Sequence, residues 1–132
     1  MSLGNEYNNE MQNLTINNLI NTCHLMSLVK EALGIIETAT LKDKEIYMLI
    51  ESAIIDLDRV GVDVENHILD SLVKTAIVLY VKAHFGDTDV SKKDSNLKRY
   101  KMILRELQNS SEYQKENTEN DWCWMYLNFK NL

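Results

Sequence analysis

The stretch from about Ile68 to Phe85 constrains this chain more than any other, because as a helix it is apolar on nearly every side. Ile68, Leu69, Leu72, Val73, Ala76, Ile77, Leu79, Tyr80 and Ala83 follow the 3.6-residue period, and Val78 and Val81 add bulk on what would otherwise be the wet face. Such a helix must be surrounded, either by other helices of the same chain or by other copies of it. A small bundle is expected to leave part of it uncovered, which places Val78 and Val81 as candidate subunit or partner contacts.

The rest of the chain also reads as helix. With 132 residues, 45% of them hydrophobic, it can bury the core of one domain. Average proline usage of about 5% would supply roughly six or seven prolines. The chain has none, which fits an all-α fold because helix interiors reject proline. A first helix is predicted from Asn21 or Thr22 to Leu33, with Leu25, Leu28, Val29, Ala32 and Leu33 on one face and Gly34 as its stop. A second begins near Thr40, whose hydroxyl and Asp43 form a capping-box-like pair. It turns Ile46, Leu49, Ile50, Ala53, Ile54 and Leu57 inward and ends at Gly61.

About five residues, Gly61 to Glu65, then lead into the apolar helix, a length that favours an αα-hairpin. Asp63 is the candidate cap of that helix, and Lys82 and His84 sit in its last turn, where positive charge suits the dipole. Asp87 to Ser95 reads as a loop, after which Leu97, Tyr100, Leu104 and Leu107 define a fourth helix capped by Ser95 or Asp94. The expected architecture is all-α: a compact bundle of about four helices with a central apolar helix and irregular N- and C-terminal arms. Residues 1–20 read as a polar leader, 21–108 as the helical domain, and 109–132 as a linker and aromatic arm.

Several function classes find no support. A net charge of −6 argues against the whole chain wrapping nucleic acid, where Lys and Arg must replace the counterions of phosphate. Cys23 and Cys123 lie 100 positions apart with no CxxC, so a disulfide framework is not expected and the compartment reads as reducing. The longest unbroken apolar run, Ala76 to Val81, is far too short for a bilayer. Among Cys23, His24, His67, His84 and Cys123 no two lie at metal-ligand spacing, and on one continuous helix His67 and His84 would stand about 25 Å apart. There is no nucleophile elbow, no HExxH and, with four glycines, no phosphate loop. The carboxylates Asp56, Asp58, Asp63 and Glu65 read as a solvated edge. The expectation is a protein without catalytic residues, metal or cofactor.

Two segments stand out from this background. From Ser91 to Arg105, six basic residues, Lys92, Lys93, Lys98, Arg99, Lys101 and Arg105, stand against Asp94, a balance of +5 in an acidic chain. They read either as a patch for DNA phosphate or an acidic partner, or as the wet face of the fourth helix. Near the end, Trp122, Cys123, Trp124, Met125, Tyr126, Leu127 and Phe129 crowd into eight positions behind a polar linker. Trp122, Trp124, Tyr126 and Phe129 read as an arm that binds a partner or a neighbouring subunit, as a piece that folds back over its own bundle, or as a disordered tail.

The order of elements resembles the small head-tail connector proteins of tailed phages and prophages, a head-completion and DNA-packaging family. The resemblance is carried by the helix from Asp43-Lys44-Glu45-Ile46 to Leu57, by Leu72-Val73-Lys74-Thr75-Ala76-Ile77-Val78-Leu79-Tyr80-Val81, and by Tyr100 to Leu107 followed by Ser110-Ser111-Glu112-Tyr113. It covers roughly residues 24 to 114. It implies a virion subunit, assembled in the bacterial host cytoplasm, that forms a homo-oligomeric ring beneath the portal. Portal, other head-completion proteins and tail proteins are the implied partners. DNA is implied to pass through the channel without sequence-specific binding, and no membrane is involved. The reading that competes with it is a small helical DNA-binding packaging or regulatory module acting through Lys92 to Arg105.

Overall fold

The computed structural model describes residues 15–86 and 89–115. Within them the chain is all-α: α1 (residues 15–22), α2 (Leu25–Leu33), α3 (Asp43–Arg59), the single turn α4 (Val64–His67), α5 (Ser71–His84) and α6 (Val90–Asn109), followed by a 3-10 turn at Ser111–Tyr113. The core faces follow the periodicity. Ile46, Ile50, Ala53, Ile54 and Leu57 of α3 are buried, as are Leu25 and Val29 of α2 and Tyr100 and Leu107 of α6. Element boundaries differ from the sequence expectation in ways that bear on function.

Helical structure starts earlier than composition suggests. Residues 15–22 are helical, and Ile16 and Ile20, one turn apart, are 3% and 1% exposed. The Tyr47 hydroxyl donates to the Asn17 side-chain oxygen and ties α1 to α3. The helix predicted to run unbroken to Leu33 is interrupted at Cys23-His24, where His24 takes a left-handed φ of 53°. Gly34 then stops α2 with φ 74°, and its amide bonds back to the Glu31 carbonyl.

The loop into α3 is held by a buried ammonium, not by the predicted Thr40 cap. Lys42 occupies the N-cap position of α3, with no side-chain hydrogen bond there. Lys30, 2% exposed, sends Nζ to the Glu37 carbonyl at 2.9 Å, the Ala39 carbonyl at 2.8 Å and Asp43 Oδ1 at 2.9 Å. All three of its donors are thereby used, which is the condition for keeping a charge out of water. Asp43 Oδ1 is itself shielded and has no other donor among the described residues.

The long apolar helix is two elements. Asp63 caps α4, accepting from the Asn66 amide at 3.4 Å, and does not cap the apolar helix. Residues 68–70 form a turn closed by His67 Nδ1 and Asp70 Oδ2 at 2.8 Å, and α5 begins at Ser71. Leu69, assigned to the core by its period, is 70% exposed in that turn.

The expected shortage of cover does not materialise. α5 packs against α6, α3 and α2, and Val73, Ala76, Ile77, Leu79, Val81 and Ala83 are buried within this one subunit. Val81, at 0% exposure, has no surface to give a neighbour, so its place as an interface candidate is corrected. Val78 is half-buried on the open strip of α5, beside exposed Ser71 and Thr75 and half-buried Lys74 and Lys82. Two segments that read as leader and loop are helical as well: residues 15–22, which bury Ile16 and Ile20, and residues 90–95 at the start of α6. There Asp89 accepts from the Ser91 amide at 3.1 Å and starts the helix a full turn before Ser95.

Residues 110–115 also join the body. The Asp63 amide donates to the Tyr113 carbonyl at 2.7 Å and the Lys115 amide to the Gly61 carbonyl at 3.0 Å, while Gln114 pairs with Val62 in an isolated bridge. Gly61 sits at φ 95°, and a Cβ there would stand 2.9 Å from Gln114 Oε1. Lys115 Nζ pairs with Asp58, and the His67 and Tyr113 rings lie 4.9 Å apart.

Candidate interaction surfaces

Three features are available for function, and each is built from the helices just described. The first is a polar cluster where α3, α5 and α6 meet. Tyr100, 3% exposed, donates its hydroxyl to Asp56, which also receives Arg59 at 2.6 Å. Tyr80 stands edge-on to Tyr100 at 5.3 Å and stacks on His84 at 4.4 Å. Burial pushes the Asp56 carboxyl up, but the Tyr100 and Arg59 hydrogen bonds and the Arg59 charge outweigh it, so the group lies below the usual carboxylate value. Burial and the Asp56 contact together hold the Tyr100 phenol far above its ordinary value. Asp56 is thus a bound acceptor and not part of a solvated edge. With every partner satisfied, the cluster pins three helices together.

The second feature is the outer face of α6. Lys92, Lys98, Arg99, Lys101 and Arg105 are exposed, and among the described residues none has an ion-pair partner. Lys93 is half-buried, and its ammonium donates to the Gly86 carbonyl. Helical spacing separates the others. Lys98, Lys101 and Arg105 share one row with Asp94 at its head, while Lys92 and Arg99 lie on the opposite edge near Glu106. Beside Arg99 a groove of about 520 Å³ runs between α5 and α6, lined by Thr75, Leu79, Arg99, Met102, Ile103 and Glu106. A second hollow, lined by Met102, Arg105, Glu106, Asn109 and Ser110, continues it toward the end of α6.

The third feature went unnoticed in the sequence. Met48 and Ile55, seven apart on the outer face of α3, are 59% and 42% exposed, and Leu41 in the turn before it is 92% exposed. Ile36 in the preceding loop is 73% exposed. A stricter test of the helical pattern could have found them, since Met48 and Ile55 lie on the face shared with Lys44, Glu51 and Ser52. Trp122, Trp124, Tyr126 and Phe129 fall outside the described residues. Among those described, no group of three or more His, Cys, Asp and Glu side chains is arranged to hold a metal, and no helix is long and apolar enough to cross a membrane.

Taken together, the fold and its surfaces define a small all-α packing module whose surplus chemistry is unpaired cations and exposed apolar side chains. A family model described as phage connector protein matches residues 25–114, most of the chain and nearly the whole described body. The chain belongs to the phage connector protein family. Comparisons with curated proteins and with solved structures give no significant match.

Proposed function

We propose that this protein is a structural, non-enzymatic connector subunit of a phage or prophage particle, which assembles as a ring beneath the portal and extends the DNA channel toward the tail. The observation that carries the reading is the family match over residues 25–114, which starts with α2 and ends where Gln114 is fastened to the Gly61 corner. A covered α5 removes the earlier argument for assembly, so the contact surface must come from elsewhere. We assign it to Ile36, Leu41, Met48 and Ile55, apolar side chains that a lone subunit leaves in water. Closed head-to-tail rings join two different patches, so this face would meet a separate surface of the next copy. An acidic chain suits a conduit, since DNA must slide past it without being gripped.

The test is solution mass across concentration, with and without a portal ring, followed by particle imaging. Rings or portal-bound subunits support the reading, and Met48→Glu with Ile55→Glu should abolish them while the helical spectrum persists. A chain that stays monomeric at every concentration and ignores portal rings would sink it. Tight, steeply salt-dependent binding to duplex DNA would favour the competing DNA-binding module.

A further inference from the structure

We propose that the groove between α5 and α6 is the seat of this chain's own aromatic segment, Trp122 to Phe129, with the acidic residues ahead of it lying along the unpaired cations of α6. The inference does not depend on ring assembly. It selects the fold-back reading of the aromatic end and assigns it a site.

Four observations converge on it. The groove is open and partly apolar: Met102 is 69% exposed on its rim, with Leu79 and Ile103 forming its floor. A segment seated there would take the methionine and the apolar floor out of water together. Next, the chain leaves the described body close by. Gln114 Nε2 donates to the Leu107 carbonyl at 2.6 Å, so the exit lies beside the last turns of α6. Residues 116–121 can span about 20 Å when extended. The path back from Leu107 to Arg99 is about 12 Å at the helical rise of ~1.5 Å per residue. Third, the two hollows share Met102 and Glu106, so a continuous track leads from Ser110 to Arg99.

The fourth observation is charge. Glu116, Glu119 and Asp121 precede the aromatic run, and Lys130 follows it. Arg105 and Arg99 border the track without an ion-pair partner among the described residues, opposite in sign to that lead-in. Once the acidic residues pass Arg105, the first aromatic ring arrives where the Arg99 guanidinium can lie over its face, a favourable cation–π geometry. The basic segment of α6 is then answered within the molecule, which leaves less free charge for phosphate.

Both tryptophans of the chain, Trp122 and Trp124, lie in this segment, so selectively excited tryptophan emission of the full-length protein reports on it alone. The expected result is blue-shifted emission, poorly quenched by acrylamide and unchanged on hundredfold dilution. Met102→Asp, at a site too exposed to threaten the fold, should move the emission to that of tryptophan in water. Arg99→Glu should do so in part, while Arg99→Lys, which keeps a cation over the ring, should retain the protection. A charge reversal at Lys101, on the other row, should change nothing. Solvent-like emission in the unmodified protein overturns the proposal. So does protection that survives Met102→Asp, which means another seat, and protection that vanishes on dilution, which means the occupant comes from a second copy. Duplex DNA bound as tightly with the segment in place as in the Met102→Asp variant overturns the charge part of the argument.

Discussion

The Tyr100 hydroxyl donates a 2.5 Å hydrogen bond to Asp56 across 44 positions of sequence, and through it α6 is locked to α3. Neither residue is next to the other in any periodic pattern, yet the bond decides how the fourth predicted helix lies on the bundle. Tyr80 flanks it from α5, so one hydroxyl sits at the junction of all three long helices.

Removing that hydroxyl should be felt. Tyr100→Phe keeps the ring and its packing but deletes a hydrogen bond to a charged acceptor, and should lower stability by about 1–2 kcal/mol. Urea denaturation should show a reduced midpoint with an unchanged slope. Asp56→Asn should cost a similar amount, and the double variant less than the sum of the two, because both act on one contact. Additive losses would show that the bond contributes nothing.

The same pair sets a pH window. The Asp56 carboxyl is lowered in the fold, so its stabilisation is present above the unfolded value of about 4 and is lost as pH falls through the lower folded value. The Tyr100 phenol is raised, so its share is complete below about pH 10 and is lost as pH climbs toward the folded value. Thermal melting should therefore fall at both extremes. In Tyr100→Phe the alkaline fall should be reduced, with Tyr47, Tyr80 and Tyr113, whose phenols are also raised, accounting for what is left.

Lys30 should tolerate no replacement. Lys30→Met fills the space but strands Asp43 Oδ1 and the carbonyls of Glu37 and Ala39, a loss of about 3 kcal/mol or more. Amide exchange should rise first in residues 35–42, the loop that the ammonium gathers. Lys30→Arg should not rescue it, since a planar fork cannot meet three oxygens arranged about a point charge.

Two neighbouring valines should part company. Val81→Asp buries a carboxylate at a site with 0% exposure and should unfold the subunit. Val78→Asp, on the open strip between Lys74 and Lys82, should leave the circular dichroism spectrum close to that of the parent protein. Equal damage from both would mean that α5 is enclosed on every side.

Much of this architecture was legible in the order of residues. Periods of three and four named the buried face of α3 almost residue by residue and the centres of those of α2 and α6, and the lack of proline with well-spaced glycines marked an all-α chain. The family resemblance over roughly residues 24 to 114 coincides with the matched range of 25–114. Those signals are local: a face repeats within a turn or two, so composition and spacing carry them.

Only the tertiary structure decided what covers what. Residues 15–22 and 90–95 look too polar to belong to a packed helix, because in the first only Ile16 and Ile20 are buried and in the second only Lys93 is even half-buried. Packing against α6, α3 and α2 is what encloses α5, and it turned an expected intermolecular surface at Val81 into an internal one. Lys30 with Asp43, Tyr100 with Asp56, and Gly61 with Lys115 join positions 13, 44 and 54 apart, and no periodic pattern announces such pairs. They exist because a buried polar group must find its partner wherever the chain's path brings one, and that path is fixed only when the helices pack.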